Sequence, residues 1–326
     1  MQKNEPYIRI RLGGFQVVYS HPIRTNKKIR LQGELFFHTL IIETLLYNSH
    51  MSKPFFSIII PTLNEEKFLP HLLDDLSKQS FRDFEVILVD GQSEDQTVAR
   101  AKNFETVLPS LKILTSPKRH VCTQRNLGAK KAKSNWLIFM DADNRLPSYF
   151  LRGVQYRLES ENCDIAYTWV YPEKNTPQYR VIASAINLYY DTEVAFSNAP
   201  SGLESMIIVK RAIFLKVGGF DQRINLAEGR YLVQSITQVG GVSTIFKDPQ
   251  YVYSLRRLKR YGTLRTISAV AQSEILALFG LSLPQKGLTQ KLYPMLGGQA
   301  YDPSYSVNKK RIPKFLKNVQ KILKEL

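Results

Sequence analysis

The sequence predicts an α/β fold, a mostly parallel sheet with helices on both faces. Three observations predict it. Short apolar runs recur at Phe56-Ser57-Ile58-Ile59-Ile60, Phe84-Glu85-Val86-Ile87-Leu88-Val89 and Trp136-Leu137-Ile138-Phe139-Met140. Continuous apolarity of this kind marks strands buried on both faces. Helical patterns separate the runs, and each run ends in polar or acidic residues.

The elements follow in order. Residues 1–50 show no signal-peptide layout and no clear hydrophobic period. Leu35–Tyr47 is apolar but is interrupted by His38 and Glu43, and it is too short to span a bilayer. After the first strand, Pro70 suits the first turn of a helix reaching about Gln79. After the second, Ser93 and Gln96 have capping-box spacing, so a helix is expected near Glu94. Leu111-Lys112-Ile113-Leu114 reads as a short strand. A helix from about Thr123 to Lys133 leads into the Trp136 strand.

This rhythm places Glu65, Asp90, Asp141 and Asp143 just past strand ends, on one edge of one sheet. Open α/β folds bind ligands at that edge. Asp141 and Asp143 repel each other unless a positive group lies between them, and a divalent metal holding a diphosphate would supply one. A solvated turn is the plain alternative. So are helix capping by Asn64 and Ser93, favourable helix-end charge from Glu65 and Glu66, and solvation of Arg125.

Five segments stand out in order along the chain: Ile58–Glu66, Val89–Thr97, Gln124–Ala129, Phe139–Asp143 and Val217–Asp221. Together, in this order and with this spacing, they resemble glycosyltransferase family 2, the inverting GT-A enzymes with a Rossmann-like sheet. The resemblance spans roughly residues 57–241. It implies that Pro61, Leu63 and Glu65 line the first nucleotide loop and that Asp90 recognises the nucleobase. It implies that Arg125 lies near the diphosphate, with Asp141 and Ala142 also in the nucleotide-sugar site. Asp141 and Asp143 look like the motif for Mg2+ or Mn2+, in which one aspartate binds the metal and the other acts on the sugar or through water, so Asp143 is also a catalytic candidate. Gly91 departs from the commoner Asp-Asp pair of its loop.

Inverting transfer needs a carboxylate to take the acceptor proton. The family usually supplies it from an acidic pair after the Gly-Gly-Phe-Asp segment. Here the stretch is Asn225-Leu226-Ala227-Glu228-Gly229-Arg230. Glu228 fills the first acidic position, but Gly229 stands at the second, which is often credited as the base. Three readings stay open: Glu228 as base, a phosphate acceptor that needs none, or a relative that binds donor without turnover.

Other chemistries find little support. His21, His38, His50, His71 and His120 show no metal-ligand spacing, and neither a P-loop nor Gly-x-Ser-x-Gly occurs. A sugar-phosphate nucleotidyltransferase would need a Gly-rich loop where Pro61–Glu65 stands. Cys122 and Cys163 read as free thiols of a reducing compartment. Tyr167, Trp169 and Tyr171 read as sheet packing, with sugar stacking as the alternative.

Charge divides the chain. Residues 51–254 hold 24 Lys/Arg against 22 Asp/Glu, whereas residues 255–326 hold 14 against 3. A neutral core with a basic tail argues against nucleic acid and for an anionic surface meeting the tail. Ile267–Leu283 is too short and polar for a membrane span. From Pro313, Phe315, Leu316, Val319, Ile322, Leu323 and Leu326 share one helical face, with lysines mainly elsewhere. This is a basic amphipathic pattern of interfacial type, and docking on the domain itself is its alternative.

The expected organisation is a poorly structured extension at 1–50, a GT-A domain at 51–254 and a basic helical tail at 255–326. Met51–Ser57 looks like a family start, so residues 1–50 are expected to derive from an upstream start. The expected protein is a cytoplasmic enzyme using a nucleoside-diphosphate sugar and a lipid-linked or glycan acceptor. It would meet the membrane peripherally through its tail.

Overall fold

The computed structural model describes residues 8–12, 15–19, 53–224 and 227–256. The expected tail from 257 onward, including both of its apolar segments, lies outside them. The chain divides into two compact units, Met1–Ser52 and Lys53–Leu326.

In the first unit, β1 (Ile8–Leu12) pairs antiparallel with β2 (Phe15–Tyr19), from Ile8↔Tyr19 to Leu12↔Phe15. Sequence reading found no period here. Ile8-Arg9-Ile10-Arg11-Leu12 does alternate, and the two intervening residues are both glycine, which is a hairpin signature.

The described residues of the second unit form seven strands: β3 (Phe56–Thr62), β4 (Phe84–Asp90), β5 (Leu111–Thr115), β6 (Trp136–Met140), β7 (Ile165–Tyr171), β8 (Met206–Lys210) and β9 (Ser243–Val252). They lie in the order β5-β4-β3-β6-β8-β7-β9. β8 runs antiparallel to both of its neighbours, and the other pairings are parallel.

The continuous apolar runs are explained by cover on both faces. Ile58, Ile60, Val86, Leu88, Ile138 and Met140 face helices α1 (Leu69–Ser77) and α4 (Phe150–Ser160), with Ala101 of α2 (Thr97–Lys102) in the same cluster. Ile59, Ile87, Val89, Leu137 and Phe139 face α3 (Val121–Lys131), α6 (Arg211–Lys216) and α7 (Glu228–Gln238). The twenty-residue α5 (Pro177–Phe196) follows β7. The polar residues inside two runs satisfy each other, because Ser57 donates to Glu85 Oε1 at 2.6 Å. No helix among the described residues is long and apolar enough to cross a membrane.

Two helix starts differ from the sequence expectation. The helix expected near Glu94 begins at Thr97, with Gln96 at the N-cap position but making no side-chain cap. Ser93 is engaged elsewhere: its amide and hydroxyl donate to Asp90 at 2.9 and 2.5 Å. The helix expected at Thr123 begins at Val121, because His120 Nδ1 accepts the Thr123 amide and caps it.

Candidate active site

The site forms where the sheet opens. β3 pairs with β6 only as far as Ile59↔Phe139, but with β4 as far as Thr62↔Asp90. Past Ile59 the strands part, and Pro61, which has no amide to donate, lies in the parted stretch. The loops after β3, β4 and β6 converge there.

The first two loops are stitched together. Asn64, at φ 55°, donates its amide to Ser93 Oγ at 2.8 Å, and its Oδ1 accepts the Glu94 amide at 2.7 Å. The Glu65 amide donates to Thr97 Oγ1 at 2.7 Å. Asn64 and Ser93 therefore tie loop to loop and cap no helix. Asp90 is 4% exposed, and Ser93 is the partner that its buried carboxylate requires.

Helix α3 locks the site through three consecutive side chains. Gln124 Nε2 donates to the carbonyls of Thr62 and Val89 at 2.8 and 2.7 Å, joining the ends of β3 and β4. A Cβ at Gly91 would meet this amide nitrogen and the Thr62 carbonyl, each at 3.1 Å. The crowding explains glycine where an aspartate is commoner. Asn126 brackets the turn after α6: its Nδ2 donates to the Phe220 carbonyl at 2.8 Å, and its Oδ1 accepts the Phe220 amide at 3.0 Å.

Arg125, between them, is 1% exposed. Its Nη1 donates to Glu228 Oε1 at 2.9 Å. Its Nη2 donates to Asp141 Oδ1 at 3.1 Å and to the Glu204 carbonyl at 2.8 Å. Burial disfavours this guanidinium, but the charges of Asp141, Glu228 and Glu204 outweigh it and raise its pKa. Arg125 is thus neither solvated nor at the surface of the crevice. It underlies Asp141 as a fixed positive charge.

Asp141 and Asp143 flank the buried Ala142. Asp143 Oδ2 accepts from Arg256 at 2.7 Å, and Glu65 accepts from the same guanidinium at 3.1 and 3.3 Å. Arg256 also stacks over Phe68, 3.7 Å from the ring centroid. Burial, opposed by Arg256 and reinforced by Asp143, pushes the Glu65 carboxyl up to about 7. Sequence reading assigned residue 256 to a membrane-facing tail, yet its side chain turns inward to the acidic edge.

Glu204 escaped sequence reading altogether. It precedes β8, and its Oε1 accepts the Gly229 amide at 2.7 Å. Burial first, then the neighbouring Glu228, holds its carboxyl well above the usual carboxylate range. No local signal marks it, since a single glutamate before an apolar strand is commonplace.

Asp141 and Asp143 offer only hard oxygen donors. Mg2+ and Mn2+ accept such a pair when waters and substrate phosphates complete the shell, so the residues present fit the metal. Among the described residues no third His, Cys, Asp or Glu joins them.

A mostly parallel sheet carrying one antiparallel strand, with an Asp-x-Asp turn at its open edge, is the arrangement that the resemblance to GT-A transferases implies. Comparison with known proteins makes the class specific. Residues 57–218 match the model of Glycosyl transferase family 2, and the chain belongs to that family of glycosyltransferases. It is 27% identical over 233 residues to a PGL/p-HBAD biosynthesis glycosyltransferase of Mycobacterium bovis, covering 65% of this chain and 88% of that one. It is 22% identical over 236 residues to the poly(ribitol-phosphate) beta-N-acetylglucosaminyltransferase TarS of Staphylococcus aureus, covering 70% and 40%.

Two solved structures share the fold. The mannosyltransferase PcManGT from Pyrobaculum calidifontis, in complex with GDP-Man and Mn2+, has a TM-score of 0.53 at 19% identity, covering 68% of this chain and 65% of that one. Residues 1–349 of TarS, in complex with UDP-GlcNAc, score 0.50 at 22%, covering 62% and 58%. The chain thus spans less than two thirds of either structure.

Proposed function

We propose that the protein transfers a sugar, with inversion, from a nucleoside-diphosphate donor to a lipid-linked or glycan acceptor. The observation that carries this reading is the Asp141-Ala142-Asp143 turn at the parted edge of β3 and β6, braced from below by Arg125. The nucleotide complexes of the two structural neighbours agree with a sugar-nucleotide donor.

The donor would lie across the parted strand ends. Pro61, Leu63 and Glu65 form one wall, and Asp90, held by Ser93, presents its carboxylate for the nucleobase. Asp141 and Asp143 would hold Mg2+ or Mn2+, which neutralises charge on the departing diphosphate when bound. Arg125 holds Asp141 in place through Nη2 at 3.1 Å. A carboxylate of the Glu204–Glu228 cluster takes the acceptor proton, because attack by a neutral hydroxyl builds positive charge on its oxygen. We place the enzyme in the cytoplasm, in peripheral contact with a membrane where the acceptor is lipid-linked.

Calorimetric binding of UDP, GDP and dTDP, with and without Mn2+, tests the reading on wild type, Asp141→Ala and Asp143→Asn. One nucleotide should bind with metal dependence, and both variants should lose that dependence. Wild type that binds none of the three nucleotides would sink it.

A further inference from the structure

Family resemblance puts a second carboxylate at position 229, and Gly229 has no side chain to offer. The space that side chain would fill is already taken. A Cβ at Gly229 would lie 3.0 Å from Glu204 Cγ, 3.2 Å from Ile207 Cδ1 and 3.4 Å from Glu204 Oε1. Glu204 Oε1 accepts the Gly229 amide at 2.7 Å, which anchors the carboxylate over the first turn of α7. Its backbone is fixed as well. The Glu204 carbonyl accepts from Arg125 Nη2 at 2.8 Å, and the next carbonyl, of Ser205, accepts the Asp141 amide at 2.9 Å.

We infer that Glu204 is the catalytic base, a carboxylate delivered from the approach to β8 into the space left by the missing side chain of residue 229. The assignment rests on the transferase reading above. Glu228 is less suited to the task. Its Oε1 already accepts from the buried Arg125 Nη1 at 2.9 Å, so that oxygen is engaged and not open to an acceptor hydroxyl. Arg125 meets Glu204 through the backbone carbonyl instead. The neighbouring Glu228 carboxylate adds to the effect of burial and raises the proton affinity of Glu204 further.

In the step, the acceptor O–H bond breaks and its proton goes to the Glu204 carboxylate. The acceptor oxygen bonds to the anomeric carbon. The carbon–oxygen bond to the diphosphate breaks, and its electron pair leaves with the nucleoside diphosphate.

The test uses the full chain with Mn2+, UDP-GlcNAc and GDP-mannose as probes, water as acceptor, and nucleotide release as readout. Glu204→Gln should lower kcat by about 10²- to 10⁴-fold, the usual worth of a positioned base, while UDP or GDP affinity stays unchanged. Glu204→Ala combined with Gly229→Asp, which returns a carboxylate to the same space, should recover much of what Glu204→Ala alone loses. A purely structural Glu204 would give no such recovery, so the double variant decides even where Glu204→Gln folds poorly. Glu204→Gln turning over like wild type, or a double variant no faster than Glu204→Ala, overturns the assignment. Wild type that releases nucleotide from neither probe overturns the transferase reading and the assignment with it.

Discussion

Arg125→Met should be the most damaging single change in the second unit. The guanidinium is buried and meets two carboxylates at 2.9 and 3.1 Å, with the Phe220 ring 5.2 Å from its centre. Methionine fills much of the volume but leaves the Asp141 and Glu228 carboxylates without their cation. Removing one partner of a buried ion pair costs about 3–5 kcal/mol. In a domain of this size each kcal/mol moves the midpoint by about 2–4 °C, so melting should fall by about 6–20 °C. The loss should shrink at acid pH, where protonation removes the stranded charge. Arg125→Lys should fall between, since one ammonium cannot span both carboxylates. Arg223→Ala serves as control: Arg223 pairs with Asp221 at 2.7 Å but its side chain is 88% exposed, and its loss should leave the midpoint in place. Thermal and urea unfolding across pH measure all of this. An Arg125→Met melting midpoint within about 2 °C of wild type at neutral pH would refute the view that Arg125 is the counter-charge of the cluster.

Three further outcomes are expected. A Cβ at Gly128 would lie 2.4 Å from Ile59 Cγ2, so Gly128→Ala should cost about 1–3 kcal/mol by overpacking, read by urea unfolding. Arg256→Ala releases Asp143 and Glu65 from their shared cation, so nucleotide-free Mn2+ should bind more tightly by calorimetry, and unchanged affinity would contradict competition at Asp143. The folded-state pKa of Glu65, about 7, lies above its ordinary 4.5, so the folded protein binds more protons between these values. The stability that Glu65 contributes is present below pH 4.5 and is lost as pH rises towards 7, on the order of 3 kcal/mol. Glu65→Gln should flatten that decline relative to wild type, and parallel unfolding curves from pH 5 to 8 would contradict it.

The sequence alone determined the first four strands of the sheet and its acidic edge. Apolar runs such as Phe56–Ile60 and Trp136–Met140 are read locally, because a strand covered on both faces must be apolar at nearly every position. Asp141 and Asp143 stand out because charge directly after such a run needs a reason. The antiparallel placement of β8, the inward turn of Arg256 and the burial of Arg125 were decided by tertiary structure. Each depends on residues distant in the chain, such as Glu204, 79 positions from Arg125, and Glu65, 191 from Arg256, and no local pattern encodes such partners. Ser93 shows the same limit at short range: its capping-box spacing was real, but the buried Asp90 carboxylate claimed the hydroxyl. Glu204 is the fullest case. Its significance lies in the space above Gly229, and that space exists only once β8 and α7 have packed together.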